Sequence, residues 1–139
     1  MKPIIQLERT GCGIASVAAI VGLSYPKVNS VANSLGIFAH DNSLWSDTAH
    51  VRTLLNHFGI RTGSHEMPFC SWQSLPDIAL LAIKWHLEKD RPYWHWVVFF
   101  RENGQPGVLD SKKELRSHRR TDFGRMKPKW YISVRGDRE

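Results

Sequence analysis

Apolar residues recur along this chain with a helical period in the first half and a strand period in the second. Cys12–Val21 is apolar almost throughout and free of proline, which predicts a buried helix that Gly22 ends. Tyr25-Pro26 opens a second helix, because proline is tolerated in a first turn, and Val28, Val31, Ala32 and Leu35 then recur at helical spacing up to Gly36. A polar loop around residues 40–43 precedes a third helix expected over 44–58, with Val51, Leu54, Leu55 and Phe58 as its stripe and Gly59 as its stop. Residues 60–63 suggest a short strand, and 64–74 read as a loop around Pro68.

After Pro76 the period changes. The apolar run 78–83 predicts a buried strand, and Tyr-Trp-His-Trp-Val-Val-Phe-Phe over 93–100 predicts a second one, rich in aromatic and β-branched residues. A turn is expected over 102–107, then a short strand at Val108-Leu109 and a last strand over 130–134. Helices followed by an antiparallel sheet make an α+β layout.

At 139 residues the chain fits one domain, 1–139, with a helical half over 1–63 and a sheet half over 75–139. Six tryptophans and six phenylalanines supply a core without disulfide staples. No run approaches the roughly 18–20 apolar residues of a membrane span, and no signal-peptide pattern opens the chain, so no membrane partner is expected. The expected location is the cytoplasm, or delivery or export without a classical signal peptide. Two cysteines, Cys12 and Cys70, make neither a disulfide framework nor a zinc site. His50 and His57 stand seven apart rather than four and lack further ligands, so no metal or other cofactor is expected.

The net charge of +6 is concentrated over 112–138, where ten cations face three acids. That run admits two readings: a binding surface for nucleic acid or an acidic protein, carried by Arg119-Arg120 and Lys127 to Lys129, or a solvated surface around the last strand. The second is favoured, since a high isoelectric point alone is weak evidence of nucleic-acid binding.

Four residue types bring chemistry. Cys12, between Gly11 and Gly13, falls in the first turn of the first helix, where unpaired N–H groups and the helix dipole favour a thiolate. The glycines are expected to let a substrate backbone approach. Held on the aromatic strand between Trp94 and Trp96, His95 suits a general base with restricted water access, and either tryptophan is a candidate wall of a substrate groove. Asp110 returns toward His95 if 93–100 and 107–111 pair as a hairpin, and would then fix the imidazole tautomer. Gln6 offers an amide donor for an oxyanion. Each residue has a plain alternative: a core thiol, a packed histidine, a turn-capping aspartate, a surface glutamine. Cys70, with no helix start near it, reads as packing, and His86 with Glu88 as a loop pair.

The segments Gln6-Leu7-Glu8-Arg9-Thr10-Gly11-Cys12-Gly13, His95-Trp96-Val97-Val98 and Val108-Leu109-Asp110-Ser111 together resemble the bacteriocin-processing double-glycine peptidase family of the papain-like superfamily. The resemblance implies a papain-like fold, a Cys12–His95–Asp110 triad with Gln6 at the oxyanion, and an acyl-enzyme formed on a peptide or protein substrate. The same triad could serve acyl transfer or glutamine deamidation. Two departures stand out: members often precede an ABC transporter, and the basic run beyond Lys112 is not in the pattern. Oligomeric state is not indicated.

Overall fold

The computed structural model describes residues 1–135, so Asp137 and Arg138 of the basic run lie outside the described residues. Helix α1, Cys12–Val21, ends where Gly22 turns left-handed (φ 76°) and returns its N–H to the Ala18 carbonyl. Helix α2, Tyr25–Ser34, starts at Ser24, whose hydroxyl accepts from the Lys27 N–H. The third helix departs from expectation. Instead of one helix over 44–58 there is a 3₁₀ turn, Asn42–Ser46, and then α3, Ala49–His57. Two aspartates cause the break: Asp41 accepts from Ser43 N–H and Asp47 from His50 N–H, each starting its own helical piece. Val51, Leu54 and Leu55 are buried, as their stripe predicts.

The sheet is antiparallel, with strands β1 (Arg61–Thr62), β2 (Met67–Pro68), β3 (Ile78–Glu88), β4 (Arg91–Glu102), β5 (Gln105–Leu109), β6 (Arg119–Arg120) and β7 (Trp130–Arg135). Their order is β1-β7-β3-β4-β5-β6, and β2 also pairs with β7. The long strands outrun their sequence signals because two-residue turns join them. Lys89-Asp90 and Asn103-Gly104 all have positive φ, which suits the twist of a tight hairpin. The turn expected over 102–107 therefore shrinks to two residues, and His86 and Glu88 sit on β3 rather than in a loop. One irregularity interrupts β3: its register against β4 shifts between Ile83 and His86, and Lys84 there has φ 55°.

Both faces of the sheet are covered. Trp94, Trp96, Val98 and Phe100 pack in one cluster with α1, α2 and α3. Val97 and Phe99 alternate to the other face, where Leu81, Ile83, Val108, Leu75 and Met126 join them, flanked by Phe69, Trp72 and Phe123. Met126 and Phe123 come from a short helix, α4 (Phe123–Met126), inside the basic stretch. That stretch is thus part core, not solely a solvated surface.

Candidate active site

Three elements meet at one end of the sheet. The first turn of α1 brings Cys12, β4 brings His95, and the end of β5 brings Asp110. The β4–β5 hairpin pairs Val98 with Leu109, which sets Asp110 one step beyond the last paired residue and diagonal to His95. His95 Nε2 and Asp110 Oδ1 are 2.7 Å apart. Since Nε2 is occupied by the carboxylate, Nδ1 is the ring nitrogen left for Cys12. The Trp96 backbone N–H donates to Cys12 Sγ at 3.5 Å, so the strand that holds the imidazole also holds the sulfur.

Burial alone would push the His95 ring down, but the charge of the Cys12 sulfur and the hydrogen bond to Asp110 outweigh it and raise the ring from 6.5 to about 9. Burial likewise works against the Asp110 carboxylate. The hydrogen bond and charge of His95, then the Lys112 N–H and the Arg120 guanidinium, prevail and hold it at about 2. Asp110 is 1% exposed and all of its contacts are specific: His95 and the Lys112 N–H on Oδ1, Arg120 Nη1 at 3.0 Å on Oδ2.

Sequence reasoning did not single out Arg120 as a partner of the aspartate. It stands on β6, opposite Val108, and binds Asp122 through Nε and Nη2 as well as Asp110 through Nη1. No periodicity marks a two-residue strand, so the only signal was the doublet Arg119-Arg120. With Arg120 engaged internally and Lys129 lying over the Trp85 ring, two of the cations assigned to an acidic partner have protein neighbours instead.

Arg120 yields the first expectation. A depressed carboxylate stabilises the fold fully above its unfolded value of about 3.9, and that contribution is lost as pH falls through the folded value. For Asp110 the folded value is about 2. Arg120→Met should raise it and bring acid unfolding to a higher pH, while Arg120→Lys restores part of the difference. Denaturant midpoints between pH 2 and 5 would show it, and identical acid limbs in Met and wild-type proteins would refute the role.

The other expected site residues fall into two groups. Gln6 is buried beside the site, but its Nε2 donates to the carbonyls of both Glu8 and Arg9, and its Oε1 accepts from the Ser111 hydroxyl. Service at an oxyanion therefore requires one of those two bonds to open. Trp94 lines a cleft of about 480 Å³, together with Gln6, Trp45, Tyr93 and His95. Trp96 does not: it is fully buried beneath the site, so its reading as a groove wall is corrected.

Gly11 and Gly13 are corrected too, for both are buried and neither borders the cleft. A Cβ at Gly11 would lie 2.2 Å from the Tyr25 hydroxyl oxygen, and one at Gly13 2.3 Å from His50 Nε2. Glycine is required here by the packing of the helix start, not by an approaching substrate. Cys70 is exposed rather than packed, because Phe69 and Trp72 take the inward positions of its loop. His50 turns its Nδ1 to Asp47. Cys12 is 1% exposed and the cleft opens over His95, whose side chain is 14% exposed.

No family model and no curated protein matches the chain. Among solved structures it is similar to a double glycine motif protease from an AMS/PCAT transporter, solved in complex with the leader peptide. That match has a TM-score of 0.64 and 17% identity over 97% of this chain and 91% of the other. It is also similar to the peptidase domain of Streptococcus ComA, a bi-functional ABC transporter involved in a quorum sensing pathway, with a TM-score of 0.54 and 15% identity over 97% and 98% of the two chains. The α+β fold of this chain is thus the papain-like fold of those peptidase domains, in keeping with the resemblance of its three segments.

Proposed function

We propose that this protein is a papain-like cysteine hydrolase that cleaves a peptide or amide bond through Cys12, His95 and Asp110. The observation that carries the reading is the imidazole of His95, fixed by Asp110 on one nitrogen and facing Cys12 with the other. Cys12 as thiolate attacks the substrate carbonyl carbon, and the carbonyl electron pair moves onto oxygen. The N–H of Cys12, at the start of α1, donates to that oxyanion, joined by Gln6 once it releases a carbonyl of Glu8 or Arg9. His95, protonated, passes its proton to the leaving amine as the carbon–nitrogen bond breaks, which leaves a thioester on Cys12. Water then attacks the thioester with His95 as base, releasing the acid and restoring the thiolate–imidazolium pair.

Asp110 keeps the ring in the required orientation and stabilises its charge, and Arg120 adds to the interactions that hold Asp110 ionised. A peptide is the favoured substrate class because one fold neighbour was solved with a leader peptide. The cytoplasm remains the proposed location.

The test is proteolysis of a mixed peptide library, read as new termini by mass spectrometry. Wild-type protein is expected to cut a reproducible set of bonds, and Cys12→Ala to lower every rate by about 10³-fold or more. Equal cleavage by the two proteins would end the proposal.

A further inference from the structure

The irregularity in β3 lies directly beside the candidate active site. In the β3–β4 register Ile83 pairs with His95, and the next residue, Lys84, sits in the left-handed region at φ 55°. A lysine gains nothing from that conformation by itself, and bulges recur next to functional sites because they re-aim a side chain. Here the bulge delivers Lys84 into the cleft that His95 borders, where it meets Lys112 arriving from the far side of Asp110.

Both ammonium groups line the same cleft, and the charge of Lys112 opposes that of Lys84. Lys84 is exposed at the rim of the cleft, where partial loss of solvent and then Lys112 lower its pKa against a smaller pull from Asp110. Neither lysine forms an ion pair with a carboxylate among the described residues. Asp110, the acid that pulls on Lys84, is already committed to His95 and Arg120. The other acids around the cleft do not relieve them: Glu8 accepts from the Tyr25 hydroxyl, Glu88 is bound to His86, and Glu114 pairs with neither. Two like charges brought together by a strained backbone, next to the reacting groups and without a counterion, have the character of a prepared anion site.

We infer that Lys84 and Lys112 form a carboxylate-binding subsite of the cleft, which selects peptide substrates carrying an acidic group close to the scissile bond. The inference rests on the reading of the cleft as a peptide-cleaving site and specifies its substrate class. Lys113, which also borders the cleft, adds to the positive field. The carboxylate comes from an aspartate or glutamate side chain or from the free C-terminus of a short product-like peptide.

Lysine footprinting tests this without turnover. Full-length Cys12→Ser protein is acetylated in the presence of Ac-Ala-Asp-Ala-NH2, Ac-Ala-Asn-Ala-NH2 or Ac-Ala-Ala-Ala-OH, and each lysine is followed by mass spectrometry. At a probe concentration of about twice its dissociation constant, Lys84 and Lys112 should be protected roughly threefold, while Lys2 and Lys27 are unchanged. Protection by the Asp peptide identifies a side-chain carboxylate and protection by the free-acid peptide a C-terminal one; either supports the subsite. Equal protection by all three peptides, or by none, overturns it.

In the library assay, wild-type protein should favour Asp, Glu or a free C-terminus at a fixed position near the cleaved bond, and Lys84→Gln with Lys112→Gln should abolish that preference while cleavage persists. Cleavage with no preference for a side-chain or C-terminal carboxylate also overturns the subsite and leaves the hydrolase standing. Footprint protection with no cleavage by wild type removes the hydrolase and leaves the anion site.

Discussion

Iodoacetamide is expected to alkylate Cys12 about a hundredfold faster than Cys70 near pH 5.5, because an ordinary thiol is only ~0.1% ionised there. The proposed mechanism has Cys12 react beside the His95 imidazolium and so escape that limit, although its burial returns part of the gain. His95 is raised to about 9, partly by the charge of Cys12, so the imidazolium persists through the neutral range. Its electrostatic contribution is fully present below about 6.5 and disappears as pH rises through that folded value. His95→Ala should therefore bring Cys12 down to the rate of Cys70 in acid and steepen its pH profile. Cys70, exposed shortly after β2, serves as the internal reference. Rates in denaturing urea, where both cysteines are open, divide out the intrinsic reactivity of each sequence context. Were the two cysteines to follow one profile from pH 5 to 9, with no effect of His95→Ala, the thiolate–imidazolium pair would not exist.

Trp96→Ala should cost about 3–5 kcal/mol, a large share of the ~5–15 kcal/mol that holds a domain together. The Trp96 ring is fully buried and packs edge-on against Trp94, Trp130 and His50, with centroids 5.7, 5.4 and 6.5 Å away. It also lies against the start of α1 at Gly13. Its removal opens a cavity between the helix carrying the sulfur and the strand carrying the imidazole. Urea unfolding measures the loss, and Trp96→Phe should recover much of it by refilling the space. A loss under about 1 kcal/mol would show that α1 and β4 are not joined through this ring.

Much of this was legible in the sequence because it is written in local periods. The α1 helix and its Gly22 stop, the aromatic strand, and the Val108-Leu109 return that carries Asp110 to His95 all follow from spacing and turn residues. The site was legible to the extent that three of its side chains ride on those elements. The rest depends on neighbours distant in sequence. β6 is two residues long and exists because β5 offers it an edge, so Arg120 could not be seen as a partner of Asp110. The split at Asp47 reflects one side chain accepting one N–H, which no hydrophobic pattern records. The glycines around Cys12 illustrate another limit: the sequence shows that something must come close, but not that it is Tyr25 and His50. In the same way the bulge at Lys84 is invisible in an apolar run that continues to Ile83.

The pairing of the first helical turn with the middle of the chain has a consequence for biosynthesis. Cys12 leaves the ribosome long before its partners: Trp96, which donates to its sulfur, follows 84 residues later, and Asp110 and Arg120 later still. A nascent chain can form α1 early, since its contacts along the helix are local, but it has no imidazole with which to charge the sulfur. Under the proposed mechanism, reactivity is thereby coupled to completion of the sheet. A chain cut short before His95 would lack the imidazole that mechanism requires.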